Sequence, residues 1–314
     1  MKQKIFARNK LIGILSAILI VILSGTLQIS CGKKAEAQFR FIFMTDIHLQ
    51  PEGEATTGFH QAIEHANSLD PDFIITGGDL IMDALGQEFE RADSLYTLYQ
   101  DYLKKFEAPV YNTIGNHEVF GLYPESGVDP SHPEYGKKMF QNRLGHGKSY
   151  HSFDFEGWHF MLLDGIGFTE DRQYYGYIDP TQIEWIKNDL SGLDSKTPII
   201  ISIHIPFYSI SAQISEDPTS SNSKGIVITN ANQIMELFED HNLKMVISGH
   251  LHWVEEIIYQ NVHHINVGAV SGGWWDGPHR GVAEGFAVID IKGNEFTWSY
   301  EDYGWHVDWD ETEK

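Results

Sequence analysis

Five separate segments of the chain share one design: a short apolar, β-prone run that ends directly in residues able to bind a cation. Residues 39–45 (FRFIFMT) run into Asp46-Ile47-His48, and residues 72–76 (DFIIT) into Gly77-Gly78-Asp79. Residues 109–114 (PVYNTI) run into Gly115-Asn116-His117-Glu118. Residues 198–203 (PIIISI) meet His204, and residues 244–248 (KMVIS) meet Gly249-His250-Leu251-His252. A strand that is apolar without alternation is buried on both faces, as in a parallel sheet covered by helices. In such sheets the carboxyl ends of the strands share one edge, where ligands bind. Five distant segments can therefore converge on one site.

The intervening pattern fits that frame. Residues 57–68 read as a helix, as do residues 87–106, where Phe89, Leu95, Leu98, Tyr102 and Phe106 recur at near-helical spacing. Residues 149–155 and 157–163 read as a hairpin around Glu156-Gly157. Residues 180–190 read as a helix with Pro180 near its start, and residues 230–241 as another helix. Residues 253–259, 262–267, 285–291 and 295–301 read as strands, whereas residues 205–228 are Ser-rich, lack a regular pattern and are expected to form a mobile loop over the site. A βαβα first half followed by a run of strands implies two sheets. The expected fold is α/β, a four-layer α/β/β/α sandwich of two mixed sheets flanked by helices.

The ligand types narrow the chemistry. Asp, Asn and His without Cys suit Mn, Fe or Zn better than a thiolate site or an all-oxygen Ca site. Two such ions about 3.5–4 Å apart clamp the attacking and leaving oxygens of a displacement at phosphorus. Asp-x-His or Gly-Asp alone carries little weight. All five motifs in order, each at a strand end, carry much.

That series, D-x-H, G-D, G-N-H-[D/E], H and G-H-x-H over residues 40–270, resembles the calcineurin-like metallophosphoesterase family. The resemblance implies the four-layer sandwich and two divalent metal ions (Mn, Fe or Zn). Asp46, His48, Asp79 and His252 would hold one, and Asp79, Asn116, His204 and His250 the other. Asp79 would bridge the ions, a bridging hydroxide would attack, and His117 would stabilise the transition state and protonate the leaving oxygen. The protein Ser/Thr phosphatase branch reads G-D-x-x-D-R-G. Here Gly78-Asp79-Leu80-Ile81-Met82-Asp83 places the second acid one residue late and lacks the Arg-Gly. The pattern is closer to class III cyclic nucleotide phosphodiesterases and related bacterial phosphoesterases. The expected function is hydrolysis of a small-molecule phosphodiester or phosphomonoester. The alternatives are a protein phosphatase or a lipid-anchored protein that binds a phosphorylated ligand without turnover.

Residues 271–281 (SGGWWDGPHRG) follow the last motif closely enough to approach the metals. Trp274 or Trp275 would stack on a base or an aromatic leaving group, and His279 or Arg280 would hold an additional phosphate or carboxylate. The plain alternative is a Gly-rich turn with its Trp residues against the core. Of 16 His, five lie in the motifs; the others are expected on the surface or in structural roles, with His60 and His65 facing solvent from the helix and one of His263 and His264 facing inward. Asp83 would orient His117 or, more simply, cap or turn a loop; Glu118 would tune His117 or favour a helix start.

The N-terminus reads as an address. Residues 1–10 are basic and residues 11–27 nearly all apolar, and the sole cysteine, Cys31, follows. Residues 1–30 fit a signal peptide, and a Cys at its end resembles the lipobox of bacterial lipoproteins, although Gln28 stands where that pattern has Leu. Cys31 would then be the lipidated first mature residue, residues 31–38 a tether, residues 39–301 the catalytic domain and residues 302–314 an acidic tail. An uncleaved membrane anchor is the alternative. Either way the protein is expected to be exported and attached to a bacterial membrane. The net charge is −22 and the first 30 residues hold four cations and no acid, so the remainder is near −26. Such a surface repels nucleic-acid polymers.

Overall fold

A computed structural model of the chain describes residues 37–307. The expected signal peptide, Cys31, and the last residues of the expected tail lie outside the described residues. The strands are β1 (Gln38–Met44), β2 (Phe73–Thr76), β3 (Val110–Asn112), β4 (His151–Phe155), β5 (Trp158–Leu163), β6 (Ile166–Phe168), β7 (Tyr174–Gly176), β8 (Pro198–Ile203), β9 (Asn242–Ser248), β10 (Glu255–Tyr259), β11 (Val262–Asn266), β12 (Gly285–Lys292) and β13 (Glu295–Asp302). The α-helices are α1 (Ala55–Ser68), α2 (Phe89–Leu103), α3 (Lys138–Arg143), α4 (Pro180–Leu190), α5 (Ser211–Ser215) and α6 (Ala231–Glu236).

The strands form a five-stranded sheet, β13-β12-β1-β2-β3, a six-stranded sheet, β10-β11-β9-β8-β5-β4, and the small ribbon β6-β7. β1, β2 and β3 are mutually parallel, as are β5, β8, β9 and β11, and the outer pairs are antiparallel. Alternation along each strand splits its side chains between two cores. Phe41 and Phe43 of β1 meet Phe160 of β5, Ile200 of β8 and Met245 of β9 between the sheets, while Ile42 and Met44 point outward to Phe59 of α1 and Tyr99 of α2. Ile199 and Ile201 of β8 face the other way, toward Ile183 and Ile186 of α4 and Ile234 of α6. Helix, sheet, sheet and helix therefore stack in four layers, the expected sandwich.

Local chemistry explains several boundaries. Phe155 pairs with Trp158, and the two residues between them, Glu156 (φ 48°) and Gly157 (φ 86°), form the left-handed hairpin turn that Gly-containing pairs favour. Asp179 caps α4 by accepting from the amides of Thr181 at 2.7 Å and Gln182 at 3.0 Å. The helix expected over 230–241 stops at Glu236, because the following turns tighten into i→i−3 bonds such as Phe238 N to Met235 O. The segment 205–228 is given a defined path: it contains α5, and Lys224 O accepts from Gly176 N. The tail does not start at residue 302, because Tyr303 and Trp305 are buried against the core around α1. His65 is half-buried against Phe286 rather than solvent-facing. Among the described residues no helix is long and apolar enough to cross a membrane.

Candidate metal centre

The five motif segments meet at the carboxyl ends of β1, β2, β3, β8 and β9. The loops after β1 and β2 extend the parallel pairing: Asp46 N donates to Gly78 O at 3.0 Å and His48 N to Asp79 O at 2.9 Å. Asp46, His48, Asp79, His250 and His252 all have positive φ, between 47° and 74°. Non-Gly residues in that region are strained and persist where the surroundings over-determine them. The neighbouring glycines are needed for close approach. A Cβ on Gly249 would collide with Thr45 and the Asp46 carboxylate, and one on Gly115 with the backbone and carboxylate of Asp79.

Among the described residues, three sets of side chains have ligand atoms mutually within 4.8 Å: Asp46, His48 and His252; His48, Asp79 and His117; and Asp79, His204 and His250. Asp79 Oδ1 accepts from the His117 amide at 2.9 Å. Its Oδ2 faces three imidazoles: His204 Nε2 at 3.0 Å, His117 Nε2 at 3.8 Å and His48 Nε2 at 4.0 Å. Asp46 Oδ1 lies 3.3 Å from His252 Nε2 and 3.9 Å from His48 Nε2. Asn116 is buried, with its Oδ1 free of any hydrogen-bond partner.

The imidazole tautomers show that this arrangement fits cations. His204 Nδ1 donates to Gly77 O at 2.9 Å and His250 Nε2 to Gly225 O at 2.9 Å. When both rings are neutral, as metal binding requires, each has a lone pair on its other nitrogen, and those two nitrogens face each other at 3.2 Å beside Asp79. His252 Nδ1 likewise donates to Gly272 O at 2.6 Å and turns its Nε2 toward His48 Nε2 at 3.1 Å. Opposed lone pairs beside carboxylates repel unless a cation sits among them, and carbonyl acceptors behind the rings are how proteins orient metal-binding His. Burial, reinforced by His204, lowers the pKa of His250 to about 4 and keeps it a neutral donor. Burial also disfavours charge on His204, but Asp79 outweighs it and holds its pKa up at about 9. A proton and a metal ion therefore compete for that lone pair.

Of the motif histidines His48, His204 and His252 are buried, whereas His250 and His117 are partly open to solvent, the His117 side chain being 21% exposed. Its Nδ1 donates to Met82 O, which leaves Nε2 free toward the site. Asp83 Oδ1 is 3.8 Å from Nδ1, beyond hydrogen-bond range. Asp83 instead closes a turn by accepting from Leu85 N at 2.8 Å and Gly86 N at 3.3 Å. Glu118 plays a part not foreseen from its position. Its buried carboxylate accepts from the amides of Gly115 (2.7 Å), Leu80 (2.7 Å), Asp79 (2.9 Å) and Ile81 (3.3 Å), binding the loops after β2 and β3 behind Asp79. Burial, then Asp79, raises its pKa to about 7 against those amides. Its place after Asn116-His117 singled Glu118 out in the sequence but did not point to this clamp. Tyr174 of β7, its ring 6.1 Å from that of His250, had no signal at all.

The 271–281 loop separates its four candidates. Trp275 is 2% exposed and donates from Nε1 to His48 O at 3.2 Å, so it is a core residue and offers no face to a ligand. Its neighbour Trp274 is 42% exposed and stands over His252 with ring centroids 4.5 Å apart. His279 also adjoins His252, at 5.6 Å. The Arg280 guanidinium lies 4.7 Å over the ring of Trp253.

The family model for calcineurin-like phosphoesterases matches residues 39–254, and the chain belongs to that family. A 3',5'-cyclic-nucleotide phosphodiesterase of Nostoc sp. is 25% identical over 235 residues, which cover 71% of this chain and 74% of that protein. Among solved structures, a dimetal phosphatase from Danio rerio is similar, with TM-score 0.57 and 14% identity over 83% of this chain and 98% of its own. GAP50 of Plasmodium, described as the anchor in the inner membrane complex, aligns with TM-score 0.50 and 17% identity over 86% of each chain. These two structures bear on the fold alone.

Proposed function

We propose that this protein is a dinuclear, metal-dependent phosphoesterase that hydrolyses a small-molecule phosphoester. The observation that carries the reading is the facing pair of imidazole lone pairs, His204 Nε2 and His250 Nδ1, beside Asp79, with the Nε2 of His117 at 3.8 Å from the same carboxylate. Asp46, His48, Asp79 and His252 would hold one divalent ion and Asp79, Asn116, His204 and His250 the other. The bound ions would supply positive charge for the phosphoryl oxygens and lower the pKa of the attacking water. With a proton on Nε2 as well as on Nδ1, His117 would donate from Nε2 to the leaving oxygen, held in orientation by the Met82 carbonyl on its other nitrogen. The family and the cyclic-nucleotide phosphodiesterase relative support this reading.

The test uses the full chain in detergent, loaded in turn with Mn, Zn and Fe and assayed on bis-(p-nitrophenyl) phosphate and p-nitrophenyl phosphate with a chelator control. Chelator-sensitive turnover is expected, and the faster substrate assigns diester or monoester preference. His117→Ala is expected to lose about 10²–10⁴-fold in kcat at unchanged metal content. Absence of turnover with every metal would leave the non-catalytic binding reading in its place.

A further inference from the structure

The loop after β11 presents two adjacent tryptophans in opposite directions. Trp274 (φ 57°) and Trp275 (φ 72°) both adopt left-handed backbone, a costly conformation for two bulky residues in succession. Its effect is to bury Trp275 against Trp305 and to hold Trp274 out in solvent beside the ligand cluster. The loop is tied to the metal-binding backbone from below. Ser271 donates to Asp46 O through its amide (3.2 Å) and its hydroxyl (2.7 Å), and Trp275 Nε1 donates to His48 O. Gly273 N to Gly277 O, at 2.7 Å, and the reciprocal amide bonds of His279 and Val282 close the loop on itself. The backbone that carries Trp274 is therefore anchored on both sides of it, and a preordered loop lowers the entropy lost on binding.

An exposed tryptophan held rigidly at a site is a stacking surface. Its ring lies 4.5 Å from His252 and 6.0 Å from His48, with His279 edge-on at 5.8 Å. His117, the proposed proton donor, adjoins the same His48, its ring centroid 4.6 Å away. His48 is thus flanked by both His117 and Trp274, so an organic group whose ester oxygen takes a proton from His117 would leave within one imidazole of Trp274.

We propose that Trp274, with His279 at its edge, is an aryl-binding shelf that selects phosphoesters carrying a flat aromatic group, a nucleobase or an aryl alcohol. This rests on the phosphoesterase reading and narrows its substrate class. Stacking of one base on an aromatic side chain accounts for roughly tenfold or more in affinity.

Calorimetry on the Mn-loaded full chain carrying His117→Ala, which leaves the esters intact, tests the shelf by binding alone. The ligands are adenosine 5'-monophosphate, phenyl phosphate and ribose 5-phosphate. Adenosine 5'-monophosphate is expected to bind about tenfold tighter than ribose 5-phosphate. Adding Trp274→Ala is expected to erase that preference at unchanged affinity for ribose 5-phosphate, which also reports an intact fold, and Trp274→Phe to restore most of it. Loss of affinity for both aromatic ligands supports a general aryl shelf, and loss for the nucleotide alone a nucleobase site. An unchanged ratio of nucleotide to sugar phosphate affinity in Trp274→Ala would overturn the proposal. Failure of the phosphoesterase reading shows separately, as absence of chelator-sensitive turnover in the unmutated chain.

Discussion

The two sheets bring different chemistry to the same place. The five-stranded sheet delivers oxygen donors, Asp46, Asp79 and Asn116, together with His48 and the partly exposed His117. The six-stranded sheet delivers imidazoles only, His204, His250 and His252. Their supports differ in the same sense. The carboxylates are held by amides: Asp46 accepts from His250 N at 2.9 Å, Asp79 from His117 N at 2.9 Å, and Glu118 gathers four amides behind Asp79. The imidazoles are held by the carbonyls of Gly77, Gly225 and Gly272. Neither sheet alone has a full ligand set, so the centre exists only when the aromatic core between them, from Phe41 and Phe43 to Phe160, is assembled. Metal binding would then be coupled to docking of the two sheets.

Asp79 is where the comparison breaks most completely, because its Oδ2 faces three imidazoles drawn from both sheets, His204, His117 and His48, where Asp46 Oδ1 faces two. Asp79→Asn is expected to cost on the order of 10³ in kcat and to lower the metal content below two ions per chain, read by elemental analysis. Two ions and near-normal turnover would show that the sheets do not share this ligand. Glu118→Gln tests the amide clamp one step further back. An amide in that place sets donor against donor, so the loops after β2 and β3 should part slightly. The expected loss is about 10–100-fold in metal affinity, measured by chelator competition, with the hydrolysis rate recovering at saturating metal. A loss of rate that metal cannot restore would assign Glu118 a direct part in the chemistry.

The difference between the sheets also explains what the sequence disclosed. Phe41 and Ile42, or Ile200 and Ile201, alternate between two apolar environments, so a continuous apolar run announces a doubly covered strand and the residue after it announces the site. Asp46, His48, Asp79, Asn116, His117, His204, His250 and His252 all stand one to five residues beyond such strands, and all but Asn116 fall in the three clusters of facing ligand atoms. The supports were hidden because they act through backbone atoms, which every residue possesses. Nothing in the letters marks Gly225 O as the acceptor for His250, or Met82 O as the orienting partner of His117 in place of Asp83. Trp274 and Trp275 were indistinguishable as neighbours, and only the paired left-handed backbone decides which faces solvent.

A final contrast lies within the six-stranded sheet, between imidazoles that have partners and one that has none. His264 on β11 is buried under Tyr208, 4.8 Å between ring centroids, and beside Phe207, and neither of its ring nitrogens has a hydrogen-bond partner. Burial, with a smaller contribution from His263, lowers its pKa from 6.5 to about 4. In the unfolded chain it titrates near 6.5. Between pH 6.5 and about 4 the unfolded state therefore binds a proton that the folded state refuses, so stability falls as pH drops through that window and is unaffected above it. The cost at the acid end is about 3 kcal/mol. Urea unfolding of the chelated protein from pH 7.5 to 4 should show this extra loss in the unmutated chain relative to His264→Phe, whose ring suits the Tyr208–Phe207 surroundings. Chelation keeps proton–metal competition at His204 out of the measurement, and the remaining histidines contribute equally to both proteins. Parallel curves would mean that His264 finds a partner in solution and that its burial carries no proton penalty.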